Sequence, residues 1–249
     1  MSYNYEKYLS TYEAVTILPG SKQEIRFRPL TTNDMKKLLV YENQKDPVVG
    51  ENILDQIIND VVLTEGFDVN KLYLQDRYFL FIELRKVTKG KVYNFPFTCK
   101  DKECKSQSLQ TINLDNLKIK NLNEDEIEKE LKILNGNLTL EMGFITRGEQ
   151  KEAFSHIDKN LSVSQKQVEM VIADIASSIK SITTPEGKEE LPIQKRMDFI
   201  GKLPRNEYDR LSEWYQKNDF GIDLNIEIKC PHCSVESEKI VMPLDNFFV

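Results

Sequence analysis

Two widely separated stretches of the chain carry the same alternation of apolar and polar positions. Val92 to Thr98 alternates and is rich in β-forming residues, and Leu224 to Lys229 does the same. A period of two predicts half-buried strands. Each run leads into a close pair of cysteines, Cys99 and Cys104 after the first, Cys230 and Cys233 after the second. A further strand-like run follows each pair, Leu109 to Leu114 and Lys239 to Pro243. The pattern therefore predicts strand, cysteine turn, strand, given twice.

Most of the remaining chain reads as helix. Glu24 to Arg28 alternates and predicts a strand, after which Thr31-Thr32-Asn33-Asp34 supplies caps for a helix carrying Met35, Leu38 and Leu39. Asn52 to Leu63 carries Ile53, Leu54, Ile57, Ile58, Val61 and Val62 as one apolar stripe. A longer helix is predicted to open at Asp68 and to stop near Lys89-Gly90. Within it Asp76 and Arg77 are neighbours in sequence and point to different sides, so solvated or tertiary ion pairs are expected for them and for Arg85. Leu122 to Leu134, with Glu124-Asp125-Glu126 as an acidic first turn and Ile127, Leu131 and Leu134 at helical spacing, predicts another helix. The turn signal Asn135-Gly136-Asn137 precedes a strand over Leu138 to Met142. Helices follow over Arg147 to Ile157 and Ser164 to Ile179, the second with Val168, Val171, Ile172, Ile175, Ala176 and Ile179 as its apolar face. Ile182 to Lys188 reads as a hairpin tip, and Pro204 divides two more helices, Ile193 to Leu203 and Arg205 to Gln216.

The fold class these elements predict is α+β, a mostly helical body with short antiparallel strands forming a zinc-ribbon-like element from the two distant cysteine turns. Residues 1–120 hold an arm, a helical region and the first cysteine turn, and 121–220 form a mainly helical middle. Residues 221–249 hold the second cysteine turn and a tail packing back on the first, in one intertwined unit. Tyr3, Tyr5, Tyr8 and Tyr12 mark the arm, which is expected to pack on its own fold. Trp214 and Tyr215 read as core, and the apolar ending Phe247-Phe248-Val249 must dock or lie exposed; docking is expected.

Composition narrows the function classes. At 249 residues, 40% hydrophobic and 30% charged, the chain is long enough to bury a sizeable core. A formal charge of −6 argues against nucleic-acid binding as the main task, although Lys100, Lys102, Lys105 and Lys229 gather near the cysteines and keep a nucleic-acid-binding zinc ribbon as an alternative. No run approaches the roughly 18 apolar residues of a membrane span. The opening Met-Ser-Tyr-Asn-Tyr-Glu-Lys lacks the apolar region of a secretory signal, which places the thiols in a reducing cytoplasm.

The candidate chemistry lies in the cysteines. The chain has 4 in all. Two close pairs with none left over match an all-thiolate tetrahedral site for structural Zn2+, with Cys99, Cys104, Cys230 and Cys233 as ligands. Such a site is closed, with no position for substrate or water. The rival is thiol redox chemistry at Cys230-Pro231-His232-Cys233, but the stretch after it is too short for the helix and strands a thioredoxin fold needs. His232 reads as an exposed turn residue, and His156 lacks a Ser, Cys or Asp pattern that would make it a convincing base. No phosphate loop, dinucleotide fingerprint or nucleophile elbow is present, which points to a structural or binding role.

Leu18-Pro19-Gly20, Ile25-Arg26-Phe27-Arg28-Pro29-Leu30-Thr31, Asp76-Arg77-Tyr78, the two cysteine pairs and Pro243-Leu244-Asp245-Asn246-Phe247-Phe248 come in a telling order. In that order the chain resembles the T4-type baseplate hub assembly family of contractile-tailed phages. The resemblance implies a non-enzymatic, chaperone-like factor that promotes assembly of the central hub of the tail baseplate in the host cytoplasm. Its partners would be phage baseplate hub proteins. The alternative it carries is a structural subunit of the hub that stays in the virion.

Overall fold

The computed structural model describes residues 12–42, 46–233, 238–242 and 247–248. Strands β1 (Ala14–Ile17) and β2 (Glu24–Phe27) form an antiparallel ribbon. Helices α1 (Thr32–Glu42), α2 (Pro47–Val61) and α3 (Leu74–Lys89) follow, then the hairpin of β3 (Val92–Thr98) and β4 (Gln107–Asn113). After the two-residue β5 (Ile119–Lys120) come β6 (Glu130–Ile133), β7 (Leu138–Met142), α4 (Arg147–Ser155), α5 (Val163–Ser178), β8 (Ile179–Thr184) and β9 (Gly187–Glu189). Helices α6 (Ile193–Lys202) and α7 (Arg205–Asn218) lead to β10 (Gly221–Ile222), β11 (Asn225–Ile228) and β12 (Glu238–Val241). The sheets are antiparallel: β6-β7-β8-β9 in one, with β5–β10 and β11–β12 as separate pairs. The fold is α+β, as the patterning predicts.

Apolar side chains gather into two clusters. One joins β1 to β4 and α1 to α3 with Ile228, Cys230, Met242, Phe247 and Phe248 from far along the chain. The other gathers β6 to β8 and α4 to α7 around Leu211, Trp214 and Phe220. Trp214 donates its indole N–H to the Glu128 carbonyl at 2.6 Å, which satisfies its one polar atom.

The seam between the clusters is ionic. The Asp55 carboxylate on α2 accepts from Arg77 Nε of α3 at 2.9 Å and from Arg147 Nε of α4 at 2.8 Å. Arg77 also reaches Glu51 at 2.6 Å, and Arg147 binds Gln150 Oε1 at 3.0 Å and Asn52 Oδ1 at 3.1 Å. Both arginines are about fully buried, at 1% and 0% exposure. Burial works against the charge on Arg77, but Glu51 and Asp55 hold it above its ordinary value. Next to Arg77 in the chain, Asp76 turns the other way and accepts the Gly20 and Ser21 amides at 2.6 and 2.8 Å. A Cβ at Gly20 would lie 2.4 Å from the Phe220 ring, so only glycine lets this loop sit there.

Four expectations are corrected. Leu122 to Leu134 is not a helix: Glu124–Glu126 is a single exposed 3-10 turn and β6 follows. Its Glu-Leu-Lys-Ile alternates, and β7 offers a paired edge that outweighs the helical spacing of Ile127, Leu131 and Leu134. The helix expected from Asp68 begins only at Leu74, after a 3-10 turn at Val69–Lys71. Leu72 and Tyr73 are held extended because the Leu72 carbonyl accepts the Arg147 amide at 2.8 Å and Tyr73 bridges to Thr146. In α5, Val168 and Val171 are 60% and 51% exposed, while Ala173, Ile175, Ala176 and Ser177 face inward. α5 packs against α4 and α6 on the face that carries these residues, which leaves the valines on the open side. Tyr12 is 71% exposed and does not pack back on the fold; Tyr3, Tyr5 and Tyr8 lie outside the described residues.

The two phenylalanines near the end are buried at 1% each. Phe247 stacks on Phe81 at 5.6 Å and meets the Tyr93 edge at 4.8 Å, while Phe248 meets Phe81 at 5.0 Å. Arg85 donates Nε to the Phe247 carbonyl and places its guanidinium 5.6 Å from that ring.

Two measurements test the seam. Asp55→Asn leaves two buried guanidiniums without their shared counter-charge and is expected to cost about 3–5 kcal/mol in urea unfolding. Asp60→Asn, at the exposed Lys37 pair, is expected to cost under about 1 kcal/mol. Asp174 on α5 accepts from Gln150 at 2.8 Å, and burial pushes its carboxyl to about 7, with Gln150 and Arg147 opposing and Glu51 adding to the rise. A raised folded value means stability is full below the ordinary 3.8 and is lost as pH rises through about 7. Asp174→Asn is therefore expected to match the parent near pH 4 and to exceed it by on the order of 3 kcal/mol at pH 8. Equal pH profiles of the two melting curves would refute this account.

Candidate metal centre

The inward face of β3 carries Tyr93, Phe95 and Phe97, which anchor the strand in the first cluster and fix where Cys99 emerges. The turn that follows has four residues between its cysteines, and it closes by local hydrogen bonding. Asp101 Oδ1 accepts the Glu103 and Cys104 amides at 3.0 and 2.8 Å, and its carbonyl accepts the Lys105 amide at 3.1 Å. Lys105 takes φ +43°, and the Cys99 amide donates to the Ser106 carbonyl at 3.0 Å. The chain thus doubles back, and Cys104 faces Cys99.

The second turn ends β11, where Ile228 is buried and aligns Cys230. The His232 amide donates to Cys230 Sγ at 3.5 Å. Cys99 Sγ lies 3.7 Å from Cys233 Sγ, and Cys104 Sγ lies 3.8 Å from Cys230 Sγ. All four sulfurs fall within 4.8 Å of one another. Sequence reasoning named these four residues, and the fold brings them together.

These distances suit a metal ion. A tetrahedron with sulfur ligands about 2.3 Å from its centre has edges of about 3.8 Å, the spacing of the two closest pairs. A disulfide would need about 2.05 Å, and none of the four cysteines is joined in one. Cys99 and Cys230 are buried, Cys104 and Cys233 half-buried. Ser106 Oγ sits 3.0 Å from Cys104 Sγ and 3.3 Å from Cys230 Sγ. The Ser106 hydrogen bond, then the His232 amide, hold the Cys230 thiol down at about 6 against the effect of burial. A thiolate is the form a metal takes. Asp101 and Ser106 carried no signal in the sequence beyond the turn-forming habit of aspartate.

His232 is exposed, and His156 is exposed at the C-terminal end of α4; neither belongs to the cluster. No helix of the described residues is long and apolar enough to cross a membrane.

Cobalt titration of the metal-free protein tests the site. Saturation at a single ion with tetrahedral thiolate absorption is expected, and Cys104→Ser abolishes that spectrum. Ser106→Ala keeps the spectrum and weakens affinity by about 10–100-fold. A parent chain that takes up no cobalt would end the metal interpretation.

Comparison with known proteins covers almost the whole chain. The model of the T4 bacteriophage base plate protein family matches residues 9–249. That span takes in both cysteine pairs, the Asp55 seam and the buried phenylalanines. No match was found among curated proteins or among solved structures. The chain belongs to the T4 bacteriophage base plate protein family.

Proposed function

We propose that this baseplate protein is a non-enzymatic, chaperone-like factor that promotes assembly of the baseplate's central hub, acting in the host cytoplasm. In this reading Cys99, Cys104, Cys230 and Cys233 bind one structural Zn2+, and the β3–β4 and β11–β12 hairpins form a zinc ribbon. The observation that carries it is the sulfur cluster itself. Four thiolates at tetrahedral spacing make a closed centre, suited to holding a surface in place and offering no open position for substrate. Zinc when bound supplies folding free energy by fastening two hairpins distant in sequence. A fastened surface loses less freedom when it grips a partner, which is how an assembly factor gains affinity.

The experiment has two readouts. Purified protein is expected to contain zinc in equimolar amount and to co-purify with a hub protein of the same phage when the two are co-expressed. Purified virions are expected to lack the chain, while phage without it should build baseplates with no hub. Finding the chain at stoichiometric levels in virions would overturn the assembly-factor reading in favour of a structural subunit. Metal-free protein with the parent melting temperature would overturn the zinc.

A further inference from the structure

The two cysteine hairpins are joined at both ends and open in the middle. β4 runs away from Cys104 and β11 runs toward Cys230, so the two strands are antiparallel neighbours. At one end the sulfurs meet. At the other, β5 pairs with β10 and the Asp223 amide donates to the Lys118 carbonyl at 2.8 Å. Between these fastenings, among the described residues, β4 pairs only with β3 and β11 only with β12. The gap is a groove of about 460 Å³. Ile112, Leu117 and Ile226 are apolar in its lining and exposed Thr111, Asn225 and Glu227 line it on the outer face; with Lys118 and Asp223 at the fastened end, the lining carries one more acidic than basic residue.

We propose that this groove receives an extended segment of a partner protein, apolar at alternate positions and basic at the others, which adds as a strand between β4 and β11. The added strand would join both hairpins into one sheet of five, β3-β4-partner-β11-β12. The backbone edges facing the groove are what such a strand needs, since an unpaired edge is a template for main-chain hydrogen bonds. Side chains of a strand alternate between faces. One set of the partner's side chains would therefore rest on Ile112 and Ile226. The other set would stand beside Thr111, Asn225 and Glu227, where opposite charge is favoured across strands. Glu227 is paired with Lys239 in the β11–β12 backbone register, which leaves the opposite edge of β11 at Glu227 to the incoming strand. Three consecutive residues of each strand line the groove, 111–113 and 225–227, which sets the length of the pairing.

The inference rests on reading the chain as a binding protein of the baseplate, and its test needs no hub protein. A fluorescein-labelled peptide of alternating valine and lysine is titrated into the full-length chain, with a valine–glutamate peptide as control. Anisotropy reports binding, and hydrogen exchange locates it. The expected result is saturable binding of the lysine peptide, at least about tenfold tighter than the control, with slowed exchange confined to 111–113 and 225–227. Glu227→Gln is expected to weaken it about fivefold at unchanged melting temperature, and Asn225→Lys to act in the same direction. Absence of binding up to about 1 mM, equal binding of both peptides, or protection elsewhere would each overturn the proposal. Failure of hub co-purification with successful peptide binding would instead remove only the choice of partner.

Discussion

One carboxylate shared by two arginines holds the architecture together. Asp55 lies between Arg77 and Arg147, and these three come from α2, α3 and α4. Each guanidinium is a buried cation, so its charge must be met where it stands. That requirement fixes the distance between α3 and α4, and with it the junction of the two apolar clusters. The same stretch of α3 uses Asp76 to hold the Gly20 loop on the opposite side. Apolar packing alone would tolerate sliding; directional bonds to two planar cations tolerate little.

The first cluster is closed by residues that arrive late in the chain. Phe247 and Phe248 lie against α3 and β3, and the Cys230 turn lies against the Cys99 turn. Arg85 links these regions, since it binds the Phe247 carbonyl and also the carbonyls of Gly90 and Val92 at the entrance to β3. The sulfur cluster and the aromatic tail thus secure the two ends of the same hairpin.

Where local pattern and tertiary demand agree, the elements were legible. The alternating runs before both cysteine pairs became β3 and β11, and Pro204 does separate α6 from α7. Leu122 to Leu134 failed because its apolar positions satisfy two periods at once, and the edge of β7 decided between them. Leu72 and Tyr73 failed because an arginine seventy-odd residues later claims the Leu72 carbonyl through its amide. The cysteines could be named from their count and spacing. Ser106 could not, since a serine two residues beyond a cysteine says nothing about which distant sulfur it will meet. Asp55 was hidden for a related reason. It sits inside an apolar stripe, where its exception is visible but its partners are not.

The order in which the clusters can be completed follows from the late arrival of Phe247 and Phe248. Residues of the second cluster run without interruption from Ile133 to Phe220, so a growing chain holds all of them before the first cluster has its last members. Until then Tyr93 on β3 and Phe81 on α3 lack the cover that Phe247 provides. Contacts spanning this much sequence close slowly, and uncovered aromatic strands invite association meanwhile. The second cluster can therefore close while the first still waits for Phe247 and Phe248, and until they dock the uncovered ring of Tyr93 leaves the chain open to association.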